Sequence, residues 1–203
     1  AVASESAAGL PSSLSDQIAV AFSGSQDPRW QADMFKKWQG MKDRNSAQIK
    51  AKGPACQPAR ASGIGDCILP EWARFVTALK GANDAKKLNA TNLEMNRRAY
   101  IQDPVNWGLP DYWATPVEFF QRKGDCEDFA TSKFFTLLYA GLRNDTMKVV
   151  IVNDLNLGIA HAVFAVDTED GIMILDNQVM AVVPADRIYH YRAIYAVDLT
   201  GAW

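Results

Sequence analysis

The chain changes its hydrophobic rhythm once, just beyond Gly141. Before that point apolar residues recur at spacings of three and four, and after it they fall in short β-branched runs. Helices that come first and strands that come afterwards do not interleave into βαβ units, so a doubly wound parallel sheet is excluded and an α+β class is predicted. The strand-like segments are MKVVIVND, AHAVFAVDT, GIMILDN, a short VMAVV and YRAIYAVDL. Turn residues such as Glu169-Asp170-Gly171 separate them, which predicts an antiparallel meander.

On the helical side, residues 1–27 are rich in Ala, Ser and Gly with little periodicity and read as a mobile N-terminal arm, leaving 28–203 as a single domain. Asp27-Pro28 opens a helix in which Trp30, Met34, Phe35, Trp38 and Met41 form one apolar stripe, ended by Gly53-Pro54. LPEWARFVTALKG predicts a second helix stopped at Gly81, and a third covers about Asp84 to Tyr100. The stretch DPVNWGLPDYW carries too many Asn, Gly, Pro and Asp residues for a regular element. Its Trp107, Tyr112 and Trp113 have the apolar area either to pack the scaffold or to line a groove. Thr115-Pro116-Val117-Glu118 is a capping box with Pro at the first helical position, so a short helix starts there. After Lys123-Gly124, DCEDFATSKFFTLLYAG predicts the core helix. Asp125 stands at its cap, Asp128 closes a box, and Phe129, Ala130, Phe134, Leu137 and Leu138 face inward until Gly141.

Composition excludes some partners. Lys and Arg total 21 against 23 Asp and Glu, a formal charge of -2, so there is no positive surplus to hold a nucleic-acid backbone. No run approaches the roughly 18 apolar residues of a membrane span, so no direct membrane insertion is expected. The start at Ala1, with neither a basic nor an apolar leader, suits a processed secreted protein and equally a trimmed chain. Three cysteines cannot all pair within one chain. Cys56 and Cys67 flank one turn-rich loop and are candidates for a local disulfide in an oxidising compartment, which leaves Cys126.

Cys126 falls at the entry to the core helix, where orphan backbone N–H groups and the positive end of the helix dipole favour thiolate. The plain alternative is a small apolar residue beside a buried helix. Only two histidines are present. His161 is the one strongly polar side chain in AHAVFAV and reads as a general base or as a core histidine satisfied by backbone, whereas His190 in IYHYR reads as a surface residue. Asp176, at the end of GIMIL on the next strand, reads as the orienter of His161 or as a strand-end turn residue. Cysteine on a helix entry, then histidine and aspartate on successive strands, together make a nucleophilic triad. A zinc site from the same three residues is disfavoured by their wide spread.

In that order of elements the chain resembles the transglutaminase-like branch of the papain-like superfamily. The segments WGLPDYWATPVEFFQRKGDCEDFA, AHAVFAV and ILDN make it similar to the bacterial transglutaminase-like cysteine proteinases of LapG type. The resemblance implies a papain-like/transglutaminase-like core with the nucleophile helix packed on a C-terminal antiparallel sheet. It also implies Cys126 as nucleophile, His161 as base and Asp176 as orienter. Further, it implies a calcium-dependent periplasmic protease that cuts the N-terminal region of a large surface adhesin near paired alanines. Release of that adhesin would promote biofilm dispersal, under an inner-membrane receptor that senses cyclic di-GMP. Acyl transfer to protein glutamine, deamidation and a non-catalytic adaptor role are the alternatives.

Calcium has a second argument. Asp125, Glu127 and Asp128 crowd the thiol, and negative charge raises a cysteine pKa against the pull of the helix terminus. A Ca2+ ion takes hard oxygen ligands and would neutralise part of that charge. Neighbouring residues point apart, so Asp125 and Glu127 are expected to share the ion, with Asp111 as third ligand. The alternative is that these acids only cap the helix and complement its dipole. The oxyanion hole is expected to use the Cys126 backbone N–H and a second donor that the sequence does not name.

Overall fold

A computed structural model describes residues 12–23, 33–50 and 69–203. Trp30, the side chain of Met34, and both Cys56 and Cys67 lie outside the described residues. The elements run α1 (Leu14–Phe22), α2 (Asp33–Lys50), α3 (Pro70–Leu79), α4 (Asp84–Asn96), α5 (Asp103–Asn106), α6 (Pro116–Arg122) and α7 (Cys126–Tyr139). Five strands follow: β1 (Met147–Asp154), β2 (Ile159–Thr168), β3 (Gly171–Leu175), β4 (Val183–Pro184) and β5 (Tyr191–Val197). The sheet is antiparallel in the order β4-β3-β2-β1-β5, so the predicted meander is closed by β5 crossing to the far side of β1. Among the described residues no helix is long and apolar enough to cross a membrane.

Alternation along the strands sends side chains to two cores. Val149, Ile151, Ala162, Phe164, Leu175 and Tyr195 face the helical layer, where α7 supplies Phe129, Phe134 and Leu137 and α2 supplies Trp38 and Met41. Burying one such side chain contributes about 1.5–3 kcal/mol, so this face carries most of the stability. Trp38 is the hub, with Trp113 at 6.0 Å, Phe134 at 5.5 Å and Phe135 at 6.0 Å between ring centroids.

The opposite face, with Val150, Val152, Val163, Ala165 and Ile174, is covered by α1 through Leu14, Ile18 and Ala21. Residues 14–22 are therefore not an arm, which corrects the expectation for that part of 1–27. Nine residues give few turns in which to show a period. What fixes the helix is the Ser13 box with Asp16, whose carboxylate accepts the Ser13 N–H at 3.0 Å, and an exposed sheet face to cover. Gln17 pins it to β5, its amide N–H donating to the Tyr191 carbonyl at 3.0 Å and its carbonyl accepting the Ala193 N–H at 2.8 Å.

The aromatic stretch also differs from expectation. Asp103–Asn106 form a single helical turn with Pro at the start, as fixed φ and a missing N–H allow. The third helix ends at Asn96, and Tyr100 instead bridges to Gly124. Of the aromatic residues Trp113 packs in the core, while Trp107 and Tyr112 stack at 4.4 Å beneath Arg122 and Arg44. All three pack the scaffold.

Candidate active site

The turn into α7 is coded residue by residue. Lys123 adopts φ 67°, a left-handed conformation that costs a non-glycine residue strain. At Gly124 a Cβ would stand 2.0 Å from Asp128 Oδ2, so no larger residue fits. Asp128 is fully buried. It accepts the Asp125 N–H at 3.3 Å, the reciprocal arm of a capping box, and the Ala114 N–H at 2.6 Å, tying the helix start to the segment before α6. Cys126 is thereby fixed as the first residue of α7, where its backbone N–H has no intrahelical acceptor.

β2 lies alongside this helix start. β2 packs against α7, the Ala162 N–H acts to lower the Cys126 pKa against the acids, and His161 is the residue immediately before Ala162. His161 and Asp176 are each only 4% exposed, and His161 Nε2 meets Asp176 Oδ1 at 2.9 Å. The carboxylate is saturated with donors. Oδ1 also accepts the Gln178 N–H at 2.9 Å, and Oδ2 accepts the Tyr191 hydroxyl at 2.7 Å. Burial alone would raise this acid, but the hydrogen bonds and the imidazole outweigh it and hold Asp176 below the usual carboxylate range. With Nε2 held by Asp176, Nδ1 is the ring nitrogen left for another partner.

Tyr191 reaches Asp176 because β5 carries a bulge. Ile151 pairs with Tyr195 but Val152 pairs with Ala193, leaving Ile194 as the extra residue. Below the bulge the side chains change face, so Tyr195 joins the helical core and Tyr191 the other.

The thiol side has the opposite character. The Cys126 thiol donates to Glu127 Oε2 at 3.3 Å, and burial together with Glu127 and Asp125 pushes its pKa up. Asp103, Asp125 and Glu127 each offer a carboxylate oxygen, and these atoms all lie within 4.8 Å of one another. Asp125 Oδ2 accepts the Asp103 N–H at 3.3 Å, while Oδ1 of Asp125 and Oδ1 of Asp103 are buried without a partner. Burial pushes Asp103 up to about 6, and burial with the Asp125 charge pushes Glu127 up to about 9. A cluster of hard oxygens with two orphaned acceptors and crowded negative charge fits a Ca2+ ion.

The structure thus brings Asp125 and Glu127 together as expected but puts Asp103, not Asp111, beside them. Asp111 is ion-paired with Lys37 and half-exposed. Asp103 lies in a stretch whose Asn, Gly, Pro and Asp residues hide its short helix, 22 residues before Asp125. The signal was Asp103-Pro104, a helix-start pair that buries its acid. Tyr191, Gln178 and Asn96 were also missed, and only the bulge and the turn after β3 reveal them. His190 is half-buried, with its ring 4.2 Å from that of Tyr191.

The description of the bacterial transglutaminase-like cysteine proteinases, BTLCP, matches residues 64–203. Among solved structures, calcium-bound LapG of Legionella pneumophila is 26% identical with a TM-score of 0.61, covering 81% of this chain and 86% of that one. The EGTA-treated form of the same protein is equally similar, with 80% and 84% covered. No curated protein sequence matches. With more than half of its length matched, and with a nucleophile-type helix entry against an antiparallel sheet, the chain belongs to the bacterial transglutaminase-like cysteine proteinase family.

Proposed function

We propose that this protein is a LapG-type cysteine endopeptidase in which Cys126 is the nucleophile, His161 the general base and Asp176 the group that orients His161. The observation that carries the reading is the buried 2.9 Å His161–Asp176 pair, whose imidazole stands on β2, the strand packed against the helix that begins with Cys126. His161 Nδ1 takes the thiol proton, and Cys126 Sγ attacks the peptide carbonyl. The Cys126 backbone N–H, at the positive end of α7, stabilises the resulting oxyanion. His161 returns the proton to the leaving amine, the acyl-enzyme forms, and water activated by the same imidazole releases it.

Asp103, Asp125 and Glu127 would hold Ca2+, which when bound supplies positive charge that offsets the carboxylates around the thiol. The calcium-bound form of the similar LapG structure supports that ion for this chain. Family membership supports a protein substrate, and we extend the reading to the N-terminal region of a large surface adhesin, cleaved near paired alanines in the periplasm. Control by a cyclic-di-GMP-sensing inner-membrane receptor belongs to the same proposal.

The test is direct. Wild-type and Cys126→Ala protein are incubated with an adhesin N-terminal fragment, in calcium and in EGTA. Fragments are expected with wild type in calcium, and a loss of at least about 10⁴-fold is expected for Cys126→Ala. Cleavage by Cys126→Ala at the wild-type rate would exclude the assignment.

A further inference from the structure

α7 buries a lysine completely. Lys133 is 0% exposed, and its Nζ lies 6.0 Å from the centre of the Phe129 ring. Placing an ammonium there has a desolvation cost, and an apolar side chain of the same length would fill the space without it. Burial pushes Lys133 down to about 7, and the charge it faces, Asp176, pulls the other way. A group so costly to stability calls for another reason to be there.

The contacts supply one. Lys133 Nζ donates to the carbonyl of Leu175 at 3.4 Å, the last residue of β3 and the one before Asp176. α4 continues the same restraint from the other side. Asn96 Nδ2 donates to the carbonyls of Asp176 at 2.7 Å and Val179 at 2.9 Å, and Asn92 Nδ2 donates to those of Val179 at 3.0 Å and Met180 at 2.9 Å. The turn 175–180, which carries both Asp176 and Gln178, is thus held by side chains of two helices. Lys133 stands seven residues after Cys126, which is two helical turns. One rigid helix therefore carries the thiol at its start and the ammonium under the base's partner.

We infer that Lys133 is a positioning residue for the thiol chemistry: its buried amine ties α7 to the end of β3, at the carbonyl of the residue before Asp176, fixing His161 relative to Cys126. Asn96 assists through the Asp176 carbonyl. The inference rests on the Cys126–His161–Asp176 reading.

The experiment reads iodoacetamide alkylation of Cys126 in the whole protein with calcium, from pH 5 to 9, by mass spectrometry of the Cys126 peptide. Lys133→Met preserves length and apolarity. It is expected to slow alkylation at pH 7 by about ten- to a hundredfold and to move the midpoint of the pH profile upward, with its circular dichroism unchanged. A purely structural lysine would leave rate and midpoint alone, so wild-type values in folded Lys133→Met overturn the inference. Should Lys133→Met not fold, Asn96→Ala decides, with about a threefold slowing expected and an unchanged rate overturning it. A third arm, His161→Ala with Lys133 intact, isolates the parent reading. If wild type reacts no faster than His161→Ala, the imidazole does not activate the thiol, and the triad fails together with the inference built on it.

Discussion

The two ends of the site are built by different physics. At the His161 end the buried charge is well partnered: the Asp176 carboxylate accepts the imidazole, a backbone N–H and the Tyr191 hydroxyl, and its charge is favoured despite burial. At the Cys126 end three carboxylates converge, two of their oxygens are orphaned, and the thiol proton is turned toward Glu127 rather than toward the imidazole. The sheet completes the first half with its own donors. The second half gathers more carboxylate oxygens than it has donors, which leaves Oδ1 of Asp103 and Oδ1 of Asp125 without a partner. On the proposed reading, a thiol whose own neighbours raise its pKa would gain from a positive charge bound at those carboxylates.

The contrast is most sharply broken at its acidic end. Asp103→Asn is expected to weaken Ca2+ affinity by at least about tenfold in calorimetric titration, because it removes a ligand charge from a three-carboxylate set. Asp111→Asn, which removes an acid already paired with Lys37, is expected to change affinity by less than about threefold. Equal losses from both would return Asp111 to the ligand set.

A subtler cut tests the base end. Tyr191→Phe removes one of three donors to Asp176 while leaving the ring in place. A hydrogen bond to a charged group contributes about 1.5–3 kcal/mol, so about a tenfold fall in kcat with KM little changed is expected. A rise in KM alone, with kcat intact, would show that Tyr191 serves substrate binding instead.

The smallest effect concerns stability and pH. Asp103 and Glu127 are held at about 6 and about 9, above the value near 4 that each has in an unfolded chain. The folded protein therefore binds more protons than the unfolded one, and stability must fall as pH rises from about 5 to 7. Above pH 7 the depressed Lys133 begins to act in the opposite sense, so the window is confined to the carboxylates. In EGTA the melting temperature is expected to drop by about 3–6 °C across that range, and calcium is expected to flatten the slope. A slope identical with and without calcium would separate the acidic cluster from metal binding.

These differences also explain what could be read without the fold. The three residues proposed as nucleophile, base and orienter each stand out locally: Cys126 by the Gly124-Asp125 helix entry, His161 by interrupting an apolar strand, Asp176 by ending one. The α+β class follows from the order of rhythms, and the core helix from the spacing of Phe129, Phe134 and Leu137. Asp103 and Lys133 escape because their meaning lies across space. Asp103 acquires it from Asp125 on the next helix but one, and Lys133 from a strand end 42 residues on. A lone lysine inside FATSKFFTLL was visible, yet period alone does not tell a buried cation from one that snorkels outward. α1 escaped for a third reason: a short segment rich in small residues shows its apolar face only when there is a sheet to receive it.

That helix has a kinetic consequence. Gln17 of α1 clasps Tyr191 and Ala193 across 174 and 176 residues of sequence, and Tyr191 in turn holds Asp176. Contacts of such separation are the slowest to close, since the loop entropy must be met before they contribute. The charge network of the base is thus finished only when the earliest described helix meets the latest strand. The donor set around Asp176 therefore joins the two sequence-distant ends of the described chain, so Gln17→Ala is expected to loosen Tyr191 as well as α1.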